Sequence, residues 1–267
     1  MKALLEKYFP YTNETPPNHP RHNRTKTINP TVFCEFNNSK GSKCQKSPPK
    51  PSVNKIFLKY REHYIEFLEN LCRSTQTGIS VQILASKIFD IVNSLKVFSI
   101  DRYEALAVIC WSIATKFEWD DIKLGLEELK ECGNGLDEDL LKSLEVEVLE
   151  LLDWKITRKT SLYYVDKYRE YGYVTNEEIR KRENSGKIDE MVGKYSATLA
   201  QMACRVPELV LENDKIIACS CIAFARKKLG LRNNWTCTLE EITGIEENQL
   251  RMHELEEKYY CMLNSKF

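Results

Sequence analysis

No apolar run in this chain approaches the roughly 20 residues that a bilayer-spanning helix needs. Net charge is also missing: 39 Lys and Arg balance 39 Asp and Glu. A neutral chain has no global field to concentrate it on nucleic acid or an anionic membrane, so binding to either would need a local patch. Met1 to Pro10 carry Lys and Glu and lack the apolar stretch of a signal peptide. The expectation is an intracellular protein, in the nucleus, the cytoplasm or both. There is no Gly-rich phosphate loop and no Ser/His/Asp elbow, so no stand-alone enzyme class is favoured and no cofactor is expected. His19, His22, Cys34 and Cys44 do not have the spacing of a standard zinc finger, so no metal site is expected. Alternation of the β type is scarce.

What the chain does have is helical periodicity. At 267 residues it can bury a core without staples. Most of its cysteines, Cys110, Cys219 and Cys221 among them, sit inside apolar helical runs, where a free thiol behaves as a small hydrophobe. Residues 11–52 stand apart. They are rich in Pro, Asn, Ser, Thr and Lys and cannot repay their ordering entropy, so a mostly disordered arm is expected. Met1 to Phe9 suit one short amphipathic helix.

From Val53 onward, apolar residues recur at three and four. The spacing predicts helices near 54–73, 80–96, 101–118, 123–131, 137–152, 161–171, 188–204, 213–229, 238–243 and 246–263. Ser80, Asp101, Asp137 and Thr160 are the expected caps, with Glu138 and Asp139 favouring the positive end of the fifth helix. Two helices, Ala105 to Ala114 and Ile216 to Ala225, are apolar on every face and must be central rods of helical bundles. Each rod ends in matched positions, Thr115-Lys116 and Arg226-Lys227. Each is followed by a Leu-Glu-Glu helix and then a long amphipathic one. This internal repeat predicts an all-α protein of two tandem five-helix bundles.

Residues 60 to 157 resemble the cyclin box. Tyr60-Arg61-Glu62-His63-Tyr64-Ile65-Glu66-Phe67-Leu68 stands where cyclins carry Met-Arg-Ala-Ile-Leu-Val-Asp-Trp-Leu, and Ile88-Phe89-Asp90 matches their Tyr-Ile-Asp. Ile113-Ala114-Thr115-Lys116-Phe117-Glu118 matches Leu-Ala-Ser-Lys-Phe-Glu, and Leu152-Asp153-Trp154-Lys155-Ile156 matches Leu-Thr-Phe-Asp-Leu. Glu145 falls on the family's Glu. The spacing runs without a gap against A- and B-type cyclins, and Trp235 to Leu263 follows the family more loosely. The resemblance implies a divergent cell-cycle cyclin with an arm at 1–52, a kinase-binding box at 53–157 and a C-terminal box at 158–267.

Of the five positions that most define the box, Arg61, Asp90, Lys116 and Glu145 are kept, and the usual Leu is Ala105. The resemblance implies that Arg61 and Asp90 form a buried ion pair between two helices. It also implies that Lys116 and Glu145 hydrogen-bond to the regulatory helix of a cyclin-dependent kinase, in a heterodimer. Glu145, Leu149, Leu152 and Ile156 fall at helical spacing, and Ile113 and Phe117 would extend the same apolar patch. The plainer readings are a Lys that complements a helix dipole and a solvated Glu. The expected function is a non-catalytic activating subunit of a protein kinase. The alternatives are a transcription-associated cyclin or a cyclin-fold transcription factor that binds DNA. The latter would need a basic surface and usually a zinc ribbon, and the neutral charge argues against it.

Many cyclins dock substrate peptides on the outer face of the first box helix. Here that face carries Tyr60, Tyr64 and Phe67, followed by Tyr103 and Glu104, with Asn70 in place of a Glu. Two readings stand: docking with changed specificity, or Tyr64 and Phe67 as core. No Arg-x-x-Leu destruction motif occurs in the arm. Ser47-Pro48-Pro49-Lys50 fits a Ser-Pro-x-Lys phosphorylation pattern, and the basic excess of residues 21–50 suits either a solvated arm or an import signal.

Overall fold

The computed structural model describes residues 54–119, 125–133, 135–157, 159–174 and 185–264. The expected N-terminal helix, the arm, the His/Cys quartet and the Ser47 motif lie outside them. Ten α-helices, three 3₁₀ turns and no strand occur among the described residues. The first five helices are α1 (Lys55–Ser74), α2 (Gly78–Leu95), α3 (Tyr103–Glu118), α4 (Leu126–Cys132) and α5 (Glu138–Leu151). The second five are α6 (Ser161–Arg169), α7 (Ser185–Ala203), α8 (Asp214–Lys228), α9 (Cys237–Thr243) and α10 (Met252–Asn264).

The rods behave as their composition requires. Ala105 to Thr115 of α3 are buried on every side, enclosed by α1, α2, α4 and α5. In α8, Ala218 to Arg226 are buried, among α6, α7 and α10. Its first turn is less covered, and Ile216 and Ile217 are half-buried. Around α3 an aromatic tier locks three helices. Phe57 of α1, Phe89 of α2 and Tyr103 of α3 lie with ring centroids 5.5–6.1 Å apart in tilted and edge-on geometry. The eight described cysteines are free thiols. Burial pushes the Cys72, Cys204 and Cys219 thiols up to about 12, as expected of thiols used as packing.

The helix ends follow from local chemistry. Asn54 caps α1, Asp137 caps α5 with a 2.9 Å bond from the Leu140 N–H, and Thr160 caps α6 through the Tyr163 N–H. Two expected caps are corrected. Ser80 lies inside α2, because Gly78, at φ +84, turns the chain into the helix two residues earlier. Asp101 lies in a 3₁₀ turn, Ile100–Arg102, that runs directly into α3; there the Ser99 carbonyl, not a carboxylate, accepts from the Arg102 N–H. The helix expected at 246–263 is also interrupted. Gln249 folds back to accept from the Glu246 N–H, closing a separate 3₁₀ turn before α10 begins.

The first and second sets of helices meet where α2 packs on α6 and α7. Polar cross-links brace this seam. Arg205 donates to Glu69 at 2.6 and 3.1 Å, Gln201 donates to Gln82 at 2.6 Å, and Lys87 bonds Asp214.

Candidate functional site

Arg61 reaches from α1 across to Asp90 on α2. Its Nε and Nη2 donate to the two carboxylate oxygens, each at 2.7 Å. Both side chains are buried, and burial pushes the Asp90 carboxyl up against the opposing pull of Arg61. The parallel fork ties the two helices together at one buried point.

Lys116 sits at the solvent end of the α3 rod and Glu145 on α5. Lys116 Nζ donates to Glu145 Oε1 at 2.7 Å, with the two side chains 37% and 27% exposed. The charge of Lys116 emerges here because the ten residues before it are apolar or small and buried. Around the pair, Phe117, Leu149 and Ile156 are half-buried and packed on the core, while Ile113 is buried and forms the floor. Half-buried apolar side chains thus share these two helices and the loop after them with one cation and one anion.

One part of the expected strip is built differently. Ile156 does not continue the α5 helix. The helix ends in a Schellman motif: the Trp154 N–H donates to the Leu149 carbonyl and the Asp153 N–H to that of Glu150, both at 2.9 Å. Asp153 (φ 51) and Trp154 (φ 55) are both left-handed, so the chain reverses and presents Ile156 from a loop. The same reversal leaves Trp154, two positions before Ile156, 66% exposed. This exposed Trp, itself in an uncommon backbone conformation, marks the end of the helix that carries Glu145. Its indole follows directly after Asp153 in the quoted box motif, which was the available signal.

The second set of helices carries a matching pair. Lys227 on α8 meets Glu256 on α10 at 2.5 Å, and these lie 111 positions after Lys116 and Glu145 respectively. The flanks differ. In the register of Phe117 stands Lys228, whose ammonium lies 4.5 and 4.4 Å from the ring centroids of Tyr259 and Tyr260.

On the outer face of α1, Tyr60, Tyr64 and Phe67 share one side and are half-buried against the core. Tyr64 lies edge-on to Tyr103 at 5.5 Å. Burial, with Glu104 next, raises the Tyr64 phenol. Tyr103 is 1% exposed, so it supports this face from beneath. Glu104 is half-buried at its edge.

Among the described residues, no cluster of His, Cys, Asp and Glu could hold a metal ion, and no helix is long and apolar enough to cross a membrane. No curated protein matches the chain in sequence. Among solved structures, the X-ray structure of a viral cyclin from herpesvirus saimiri is similar in fold. Its TM-score is 0.62 at 15% identity, over 75% of this chain and 84% of that one. Residues 32–157 match the family described as cyclin, N-terminal domain. By sequence, residues 32–157 carry a cyclin N-terminal domain, and by fold most of the chain is similar to a cyclin.

Proposed function

We infer that this protein binds a cyclin-dependent protein kinase and activates it in cell-cycle control, contributing no catalytic residue of its own. The observation that carries this reading is the Lys116–Glu145 pair bracketing Phe117, Leu149 and Ile156. The two charged groups already hold each other at a half-exposed rim, so a partner helix exchanges one ion pair for hydrogen bonds of its own at little net electrostatic cost. The apolar strip then supplies burial. By family resemblance, the occupant is the kinase's regulatory helix, which is turned inward and completes the kinase's own Lys–Glu pair. Phosphoryl transfer stays with the kinase. The cyclin acts by binding the active state better than the inactive one.

In this reading residues 53–157 form the kinase-binding box, 158–267 a C-terminal box and 1–52 an arm. The protein works inside the cell, in nucleus or cytoplasm. The aromatic face of Tyr60, Tyr64 and Phe67 is a second, peptide-sized surface for kinase substrates.

The test is a pull-down against the host's cyclin-dependent kinases, wild type beside Lys116→Ala/Glu145→Ala, with kinase activity assayed on the eluate. Wild type is expected to retain an active kinase and the double variant to lose it. A folded wild type that retains none sinks the reading.

A further inference from the structure

Glu145 has a counterpart two residues further along α5. Glu147 bonds Lys96, in the connection from α2 to α3, and Arg102 Nη1 lies 4.0 Å from its other oxygen. Two residues advance an α-helix by about 200°, so Glu145 with Lys116 and Glu147 with Lys96 occupy opposite flanks of α5. Between the flanks stands Val146. Leu141, Leu144 and Val148 define the buried face of α5, and Val146 points nearly opposite to their mean direction. It is the crest of the helix.

The crest and the second flank are aliphatic and bare. Val146 is 49% exposed, Leu95 57% and Val97 69%. Val97 is the most exposed large hydrophobic residue among those described. The local fold does not require apolar chemistry at these positions. The outward position of an amphipathic helix is ordinarily polar, and valine forms helix less readily than Glu, Lys or Gln. The connection after α2 is anchored by Phe98, which is buried, and by Lys96, whose ammonium lies 5.5 Å from the Phe98 ring centroid. Val97 has no part in that anchoring.

Exposed aliphatics scattered singly are ordinary. These three are not scattered. Lys96 stands between Leu95 and Val97, and Glu147 follows Val146, so the Lys96–Glu147 bond joins the segment carrying the first two to the helix carrying the third. Both flanks of α5 therefore combine a Lys–Glu pair with apolar side chains: Phe117, Leu149 and Ile156 on one, Leu95 and Val97 on the other. The crest is common to both, so a partner seated on the first flank reaches the second without leaving α5.

We propose that the kinase straddles α5, with one segment on the Lys116–Glu145 flank and a second, apolar segment over Val146, Leu95 and Val97. The proposal rests on the reading that this chain binds a cyclin-dependent kinase.

The kinase retained by the wild-type chain in the pull-down is purified and titrated by calorimetry with the full chain. Val97→Asp and Val146→Asp are each expected to weaken binding at least about tenfold, because each buries a carboxylate against an apolar segment. Val97→Ser is expected to weaken it about 2- to 5-fold. Ile56→Asp, at another exposed aliphatic on α1, is expected to bind as wild type. Circular dichroism checks the fold of each variant, and Val97→Ser carries the test if an aspartate variant does not fold. Wild-type affinity in folded Val97 and Val146 variants, with Lys116→Ala/Glu145→Ala still defective, overturns the straddling contact and leaves the kinase reading standing. A loss confined to Val146→Asp overturns the part assigned to the connection. An equal loss in Ile56→Asp overturns the patch as a specific contact. Dimerisation of the chain in sedimentation, abolished by Val97→Asp, assigns the patch to a second copy and overturns the kinase contact. A wild type that retains no kinase removes the kinase reading and the proposal together.

Discussion

Asp90 receives Arg61 in a parallel fork of two 2.7 Å hydrogen bonds, and both side chains are almost wholly inside the protein. A buried pair of this kind is poor evidence of net stabilisation, because each ion was stripped of water to make it. Removing one member is another matter. Asp90→Ala leaves a buried guanidinium without its counter-ion and is expected to cost about 3–5 kcal/mol. Replacing both, as Arg61→Met/Asp90→Leu, is expected to be much milder than either single loss. Urea unfolding followed by circular dichroism measures this. A double variant as damaged as Asp90→Ala would mean that the pair sets the helix geometry and not only its own charge balance.

The Lys116–Glu145 bridge is half-exposed and should matter little to stability. Lys116→Ala and Glu145→Ala are each expected to change unfolding free energy by no more than about 1 kcal/mol. Kinase retention by each variant is expected to fall at least about tenfold, the equivalent of roughly 1.4 kcal/mol of binding free energy. Titration of the purified kinase by calorimetry separates the two effects. Unchanged affinity in folded variants would return both residues to the plainer role of a solvated surface pair.

Lys227 and Glu256 copy the bridge without copying its surroundings, since Lys228 stands in the register of Phe117. A cation packed on tyrosine rings does not offer the apolar strip that a partner helix would bury. Lys227→Ala/Glu256→Ala is therefore expected to leave kinase binding unaltered, measured in the same calorimeter. A loss as large as that of Lys116→Ala/Glu145→Ala would show that the ion pair alone is the recognition element.

Trp154 is 66% exposed and stands two positions before Ile156. Truncating it removes almost no buried area, so Trp154→Ala is expected to shift stability by less than about 0.5 kcal/mol. Large aromatics at interfaces are common energetic anchors, and the same variant is expected to weaken kinase binding by about 2 kcal/mol. Surface plasmon resonance with immobilised kinase gives the second number; no change there would place the indole outside the interface.

The thiols offer a check on packing. Cys72, Cys204 and Cys219 are pushed up to about 12 by burial, and Cys237 and Cys261 are exposed. Because the thiolate is the reacting form, maleimide at neutral pH is expected to label Cys237 and Cys261 first. Cys72 and Cys219, both buried, should react only once urea unfolds the chain. Site-resolved mass spectrometry reads the order. Early labelling of Cys72 would contradict the packing of α1 on α3.

The order and most boundaries of the described helices were legible in the sequence, because a period of three and four residues is a local property. The two rods were legible for the same reason: a segment apolar on all sides has nowhere to lie but the middle of a bundle. Caps were legible where a polar side chain could bond the helix it precedes, as at Asp137 and Thr160. They were misread where backbone geometry took over that task, as at Gly78 and in the turn before Tyr103. Of the candidate site, Lys116 and Glu145 were singled out only through the resemblance to the cyclin box, and the apolar residues near them through helical spacing. Other features arise only when separate helices meet. The Lys116 ammonium and the Glu145 carboxylate are 29 residues apart, and only the packing of α3 on α5 closes them to 2.7 Å. The left-handed turn that lifts Ile156 and exposes Trp154 depends on carbonyls freed at the end of α5. Periodicity and composition act over a few residues, and the sequence carries them directly. Distances across the fold depend on how side chains from remote segments fill one another's gaps, and that is decided only when the whole chain packs.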